Sequence, residues 1–488
     1  MSIVASRQFS PAIRAPQERP ALLRQIGVVS ATALVVSNMV GTGIFTSTGF
    51  LAGDLGSASL ILLIWAVGAV AALCGAFCYS ELGVNFPSSG GEYVYLTQAY
   101  GPTWGFMTGW ISFFAGFSAP IAAAALAFSD YVGYFFPAVK QQNAQLVIGS
   151  GEWAWRIGGA QIVACSLVGL FTVLNFFGVQ RVARVQNLLT GFKVTILVVF
   201  IICGFAFGAG NWENFSVPAA RTSSIPLPEQ FAISLFWIYV AYSGWNAATY
   251  VAEEIKQPAR TLPLGLAAGT GIVAVLFIVL NIVFIYGVPL EEMKGVVAIG
   301  SLAAARLFGP DGASLFSALM ALGLLSTVNA MVTVGPRVYY AMAKNAAFFA
   351  SAAKVHPRWR TPVIAIVAQG VCTMLMTLAP FRDLIIYIGF LLNFFAVMSV
   401  ASLFILRRRP GWQRLRVVSF AYPLVPVLFV LIGSWMTYQG VRGAFAGNNY
   451  AQRWTIIAAA ITLGTGALFY HVRISGRSGW KRAGAERV

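Results

Sequence analysis

Two short segments of this 488-residue chain place glycine and hydroxyl residues inside otherwise apolar stretches. The first runs from Asn38 to Phe45 (NMVGTGIF), and the second runs from Val240 to Asn246 (VAYSGWN). Glycine weakens a helix, so each segment is a place where a helix can be interrupted. An interrupted helix leaves backbone N–H groups that can bind an anion and carbonyl groups that can bind a cation. Both segments are therefore candidate binding sites.

The elements that carry these segments are long and apolar. Hydrophobic residues make up 58% of the chain, charged residues make up only 10%, and the mean hydropathy is +0.76. A soluble domain has about 25% charged residues. Twelve windows between charges, one of them interrupted only by Lys193, are each long enough for the roughly 20 residues of a spanning helix. Backbone in lipid must satisfy its own hydrogen bonds, so the sequence predicts an all-α integral membrane protein with twelve transmembrane helices.

The basic residues are distributed unevenly between the loops that join these windows. If the spans alternate and both termini are cytoplasmic, the cytoplasmic segments carry 22 basic residues and the outer loops carry 8. This is the positive-inside bias, and it predicts that both termini are cytoplasmic. The net charge of +17 follows from this topology, so we expect no nucleic-acid partner.

The two glycine-containing segments fall in spans 1 and 6, five spans apart. Matching interruptions in two halves of a chain are typical of inverted-repeat transporters that bind their cargo at the bilayer midplane. The alternative is close helix packing through small residues, which better explains isolated glycines such as Gly75 and Gly464. We therefore predict a 5+5 inverted-repeat transporter fold with discontinuous helices 1 and 6. The expected segments are an N-terminal tail (1–25), a first repeat (26–208), an extracellular loop (209–229), a second, inverted repeat (230–409), helices 11 and 12 (410–472) and a C-terminal tail (473–488).

Several motifs in this chain occur in the order known from one transporter superfamily. They include Gly41–Phe45 (GTGIF), Tyr79–Gly83 (YSELG), Pro87–Tyr93 (PSSGGEY) and Ala241–Asn246 (AYSGWN). Further matching positions are Glu253, Glu254, Pro258, Leu262, Pro263, Arg184 to Asn187, Ser326 to Asn329, and Asn393. Over about residues 26 to 440, the chain resembles the amino acid–polyamine–organocation superfamily, and within it most the L-type amino acid transporter branch.

The resemblance implies a secondary active transporter of amino acids that works by alternating access in the cell membrane, here taken as a bacterial inner membrane. It also implies that the N–H groups of Thr42 and Gly43 bind the substrate carboxylate. The carbonyl groups of Met39, Val240 and Ser243 would then bind the amino group. Asn393 lies in the middle of a span, either contacting the substrate or bonding another helix. The expected substrate-binding set is Met39, Gly41, Thr42, Gly43, Val240, Ala241, Ser243 and Asn393.

Lys193 is the only ionisable residue well inside the fifth span. A charge at the centre of a spanning helix costs at least about 2.5–3.5 kcal/mol, so it usually faces a cavity or a partner; the alternative is a lysine that snorkels to the helix end. The resemblance implies that its amine reaches the first break near Gly41 and the hydroxyl of Thr327, where distant relatives bind sodium. A positive charge there would exclude sodium, and burial favours loss of the proton. We therefore predict sodium-independent transport, by proton symport or by amino acid exchange.

Two departures from the L-type branch bear on function. Val240 stands where that branch commonly has a bulky aromatic gate, and the outer loop between spans 3 and 4 has no cysteine. The animal L-type proteins use such a cysteine to join a glycoprotein, so we expect no disulfide-linked partner subunit. All five cysteines of the chain lie in apolar windows, and we expect no structural disulfide.

Other classes of membrane protein fit the sequence less well. The two histidines, His356 and His471, lie outside the middle of any span, and the sequence contains no typical metal-binding or nucleophile motif. We therefore expect no enzyme activity, no cofactor and no metal. A channel would need a ring of acids or a filter sequence, and neither is found. A transporter of polyamines or other organic cations with the same fold stays open as an alternative.

The charge bias makes a prediction about topology. Single cysteines introduced at Asn143 and Asn448 should react with an impermeant thiol reagent in intact cells, whereas cysteines at Lys344 and Arg414 should react only after permeabilisation. Labelling of the latter two positions from outside would contradict the assigned orientation.

Overall fold

The computed structural model describes residue 24 and residues 26–87, 91–148, 155–177, 179–344, 348–359, 361–446 and 450–474. Most of the predicted N-terminal tail, the C-terminal tail from residue 475, and Asn448 lie outside this part of the chain. The described residues are overwhelmingly helical, as the composition predicts. The helices are α1 (Val28–Met39), α2 (Thr42–Leu55), α3 (Ala58–Asn85), α4 (Glu92–Tyr100), α5 (Pro102–Ile111), α6 (Ala119–Val132), α7 (Gly159–Leu174), α8 (Val179–Phe207), α9 (Leu227–Tyr242), α10 (Pro258–Gly287), α11 (Leu290–Met293), α12 (Ile299–Lys344), α13 (Val363–Met376), α14 (Phe381–Leu406), α15 (Arg416–Ser419), α16 (Leu424–Ala446) and α17 (Tyr450–Phe469).

Shorter helical turns complete the connections. A π-helical stretch, Ser112–Ser118, joins α5 to α6 into one continuous rod, and a 3₁₀ segment, Ala247–Glu254, follows α9. Gly309 has φ of +77°, and this residue kinks α12 near its start.

Within the described residues, seven helices are long and apolar enough to cross a membrane. The pair α1 and α2, bent by 44° at the break between them, makes an eighth candidate. Gly159–Leu174, Gly191–Phe207 and Val363–Met376 are apolar but shorter. The multi-pass membrane architecture is therefore confirmed, whereas the predicted number of twelve spans exceeds the number that passes on length alone.

A short β-ribbon departs from the all-helical prediction. Strand β1 (Leu146–Ile148) pairs antiparallel with strand β2 (Trp155–Ile157), and Leu146 lies opposite Ile157. Both strands fall in the predicted outer loop between spans 3 and 4. Their β-branched and aromatic residues favour strand pairing where the chain is not required to be helical.

Both predicted helix breaks are present. Helix α1 ends at Met39, Gly41 is extended with φ of −126° and ψ of −152°, and α2 begins at Thr42. The second break follows Tyr242, where Gly244 adopts φ of +104°, a conformation that side-chain-bearing residues rarely adopt. Glycine therefore sets the position of both interruptions.

A buried ion pair ties the C-terminal end of α14 to α3. Arg407 donates from Nε and Nη2 to the two carboxylate oxygens of Glu81, at 2.6 and 2.7 Å. Trp412 Nε1 also donates to Glu81 at 2.8 Å, and the guanidinium lies 3.9 Å from the ring centre of Tyr422. The side chains of Glu81 and Arg407 are 0% and 7% exposed. The Glu81 carboxylate thus receives charge-assisted hydrogen bonds that offset the cost of its burial.

This pair predicts a strong effect on stability. Arg407→Met should cost roughly 3–5 kcal/mol, because it leaves the buried Glu81 charge without its cationic partner. The measurement is the apparent melting temperature of the detergent-purified protein. Arg408→Met, at a neighbouring exposed arginine, is the matched control. The double variant Glu81→Gln, Arg407→Met should recover part of the loss, and equal melting temperatures for Arg407→Met and Arg408→Met would contradict this account.

Candidate functional site

The two helix breaks contact each other through glycine. A Cβ atom built on Gly43 would lie only 2.3 Å from the Cα atom of Ala241. In the opposite direction, a Cβ atom on Gly244 would lie 2.8 Å from the carbonyl carbon of Asn38. Real Cβ atoms do not approach so closely, so the two backbones meet only because these positions carry no side chain.

The first break presents the N-terminus of α2. No side chain caps this terminus, and the first turn contains no acidic residue. The N–H groups of Thr42, Gly43 and Ile44 therefore lack the intrahelical acceptors that later residues have. The Thr46 hydroxyl donates to the Thr42 carbonyl at 3.0 Å and so does not accept from any of these N–H groups in that bond. Such a helix N-terminus favours an anion.

The second break presents the C-terminus of α9. The N–H group of Ser243 donates to the Val240 carbonyl at 3.1 Å, which leaves this oxygen a second lone pair. The carbonyl groups of the last turn lack the N–H donors that a continuing helix would supply, and the helix dipole makes this end attractive to a cation. Val240 is 9% exposed and Ser243 is half-buried. The break contacts therefore bring seven of the eight predicted substrate-binding residues close together: Met39, Gly41, Thr42, Gly43, Val240, Ala241 and Ser243.

The eighth residue, Asn393, faces a different helix. Its Nδ2 atom donates to the Gly433 carbonyl at 2.9 Å and to the Thr437 hydroxyl at 3.1 Å, both in α16. The side chain is 1% exposed. This geometry is the interhelical hydrogen bond that the sequence left open as the alternative, and a contact with the substrate stays a prediction.

Lys193 reaches the first broken helix. It is 2% exposed, and its amine donates to the Ser37 carbonyl at 3.2 Å, in the last turn of α1. A cation at a helix C-terminus is favourable, because the helix dipole is negative there. Among the described side chains, no carboxylate pairs with it.

Thr327 bonds within its own helix, one turn after the residue that contacts Lys193. Its hydroxyl donates to the Gly323 carbonyl at 3.5 Å, and a Cβ atom on Gly323 would lie 3.5 Å from the Cβ atom of Lys193. Helix α8 therefore packs against α12 one turn from Thr327. The coupling role of Lys193 and Thr327 stays a prediction, and the contact between α8 and α12 is compatible with it.

Beyond the breaks, three aromatic rings pack between α2, α9 and the start of α14. The rings of Phe50 and Trp237 stack with centroids 4.4 Å apart and planes at 16°. Phe381, the first residue of α14, lies 6.1 Å from the Phe50 ring and 6.2 Å from the Trp237 ring. One turn further along α2, Asp54 accepts from Arg382 Nη2 at 2.9 Å and from the Ser234 hydroxyl at 3.2 Å.

The sequence did not predict these contacts among α2, α9 and α14. Asp54 and Arg382 are 328 positions apart, and no local pattern in the sequence indicates that they pair. The one local signal of an aromatic contact here is Trp237, which precedes Val240 by about one helical turn and so lies on the same face of the helix.

The fold is that of a multi-pass membrane protein, and its two discontinuous helices contact each other at their breaks. A family model described as amino acid permease matches residues 26–468, and the chain therefore belongs to the amino acid permease family, whose members are transporters and not enzymes. The chain is 28% identical over 425 residues to the serine/threonine exchanger SteT of Bacillus subtilis (strain 168), covering 85% of this chain and 91% of that protein.

Mammalian relatives are similar to the same extent. The large neutral amino acids transporter small subunit 2 of Mus musculus is 28% identical over 414 residues, covering 84% of this chain and 75% of that protein. The b(0,+)-type amino acid transporter 1 of Mus musculus is 25% identical over 467 residues, covering 94% and 90%. These relatives are amino acid transporters, which supports the resemblance to the L-type branch.

The break contact makes a prediction about transport. Gly43→Leu should abolish uptake, because its side chain would collide with the Ala241 backbone and fill the space beside the α2 N-terminus. Thr42→Ala should retain most of the uptake, because the Thr42 contribution comes from its backbone N–H group. Uptake of labelled amino acids into proteoliposomes measures both.

Gly271→Leu is the matched control, since a Cβ atom at Gly271 meets no atom within 4 Å. Near-normal uptake by correctly inserted Gly43→Leu protein would rule out the assigned carboxylate site.

Proposed function

We propose that this protein is a secondary active transporter of amino acids that works by alternating access across the cell membrane. The observation that carries the proposal is the contact between the two breaks, at Gly43 with Ala241 and at Gly244 with Asn38. It places the N–H groups of one helix N-terminus beside the carbonyl groups of another helix C-terminus. An α-amino acid carries a carboxylate and an ammonium group on adjacent atoms, so its two charges match this pair of helix ends.

The match also separates amino acids from the alternative cargo. Polyamines and other organic cations lack a carboxylate, so the uncapped N-terminus of α2 would stay unused when they bind. The names of the relatives also favour amino acids, because they describe serine/threonine, large neutral and b(0,+)-type amino acid transport.

The proposed topology is twelve spans with both termini cytoplasmic. Seven long helices and the bent pair α1/α2 account for eight spans. Helices α7, α8 and α13 supply three more, and α9 with the segment after its break supplies the twelfth. The proposed inverted repeats are residues 26–208 and 230–409, joined by the loop 209–229 and followed by helices 11 and 12 in 410–472. The 22-to-8 bias of basic residues supports the orientation.

The proposed transport is independent of sodium. The amine of Lys193 bonds the last turn of α1, where its protonated form supplies a positive charge beside the first break. A second cation there would be repelled at short range in a medium of low dielectric constant. Transport is therefore coupled to protons or proceeds by exchange, and the relative named as an exchanger favours exchange. We further propose that the chain works without a disulfide-linked partner, since the outer loop between spans 3 and 4 has no cysteine.

Transport by purified protein in proteoliposomes tests the proposal. A panel of labelled amino acids should identify at least one substrate, with saturable uptake that is accelerated by unlabelled substrate inside the vesicles. Uptake should survive complete replacement of sodium by choline. Uptake that does not saturate and shows no acceleration would indicate a channel, and a strict sodium requirement would refute the coupling proposal.

Lys193→Ala should lose uptake or slow it at least tenfold, because it removes the charge that bonds Ser37. Lys354→Ala, at an exposed lysine, is the matched control and should transport normally. Equal rates for the two variants in the same vesicles would show that Lys193 has no coupling role.

A further inference from the structure

A carboxylate from the start of α4 bonds the segment that follows the second break. Glu92 Oε1 accepts from Asn246 Nδ2 at 3.0 Å, and Glu92 Oε2 accepts from the Tyr250 hydroxyl at 3.1 Å. Asn246 directly precedes the 3₁₀ segment Ala247–Glu254, and Tyr250 lies one turn inside it. The carboxylate thus holds the beginning of this segment at two points.

The third bond of Glu92 fixes the carboxylate to a neighbouring span. The Tyr79 hydroxyl, in α3, donates to Oε1 at 2.8 Å, and the Tyr79 side chain is fully buried. Tyr79 in turn packs edge-on against Trp245, with centroids 4.7 Å apart. A rigid aromatic group therefore anchors the carboxylate, and the carboxylate anchors the segment.

The chain just before Glu92 is shaped for this contact. Gly91 has φ of +48°, and a Cβ atom at Gly91 would lie 2.5 Å from the Tyr250 ring. The backbone therefore passes directly against Tyr250, which only glycine permits here. Among the described side chains, Glu92 forms no ion pair, and all three of its donors are neutral groups. Hydrogen bonds to an ionised carboxylate are roughly twice as strong as neutral ones.

We propose that Glu92 is a positioning residue that fixes the angle of the second helix break, and so holds the carbonyl groups of Val240 and Ser243 where the substrate amino group binds. This inference rests on the proposed function, because that function assigns the amino group to these carbonyl groups. Gly244 gives the backbone an unusual conformation at the break. The two bonds from Glu92 to Asn246 and Tyr250 hold the segment beyond it in one orientation, and the bond from Tyr79 holds the carboxylate.

The same arrangement occurs at the other break with the charges reversed. The Lys193 amine bonds the last turn before the first break, at the negative end of a helix dipole. The Glu92 carboxylate bonds the residue at the start of the segment after the second break, where the dipole is positive. Each discontinuous helix is thus held at its break by one charge from another element.

The first test separates positioning from general loss of structure. Glu92→Gln keeps the shape of the side chain and removes its charge, so the KM for a transported amino acid should rise about tenfold with Vmax within twofold of wild type. Tyr250→Phe removes one donor and should raise KM in the same direction by a smaller factor. Glu92→Asp should restore part of the affinity. The matched control is Glu213→Gln, at an exposed acid in the loop after α8.

A second measurement does not depend on transport. Ala248, within the held segment, is fully buried, so a cysteine placed there should react slowly with a membrane-permeant thiol reagent. Adding Glu92→Gln should increase the rate several-fold over the same background, whereas adding Glu213→Gln should not. If wild-type protein transports no amino acid, the proposed function fails, and the labelling rate still decides the role of Glu92. Unchanged labelling, or an unchanged KM in a transporting Glu92→Gln protein, would overturn the inference.

Discussion

The direct contact between the backbones of the two broken helices is the constraint on which the site depends. Helix ends with unused N–H groups and helix ends with unused carbonyl groups are common, but here one of each meets at a single place. Gly43 against Ala241 and Gly244 against Asn38 make that meeting possible, because a side chain at either glycine would separate the breaks. The candidate site is therefore formed mainly by backbone groups.

The few charges within the apolar part of the chain connect one helix to another. Lys193 joins α8 to α1, Glu81 and Arg407 join α3 to α14, and Asp54 joins α2 to Arg382. A buried charge is costly unless other groups satisfy it, so each of these contacts is specific to one arrangement of the helices. In either ion pair, substitution of the arginine would leave the buried charge of the acidic residue without its oppositely charged partner.

The breaks and the depth of Lys193 could be predicted because they are local features. Glycine beside polar residues marks an interruption wherever it occurs in a span, and the distance of Lys193 from the nearest charges shows that it is deep. The partners of Asn393 and Asp54 could not be predicted, because they depend on the register of helices far apart in sequence. Glu92 was visible only as one letter of a motif. Its function as an anchor requires the positions of Tyr79 and Tyr250, which no periodicity in the sequence supplies.

The aromatic gate shows where resemblance and structure differ. The L-type branch commonly has a bulky aromatic residue where this chain has Val240. From the resemblance alone, the chain would lack an aromatic group near the break. Trp237 precedes Val240 by three residues, so it lies on the same face of α9. It is stacked on Phe50 and next to Phe381. A bulky ring is therefore present, but three residues, about 4.5 Å along the helix axis, farther from the break. These rings connect α9 to α2 and α14, so the aromatic residue that packs this end of the helices is Trp237 and not the residue at position 240.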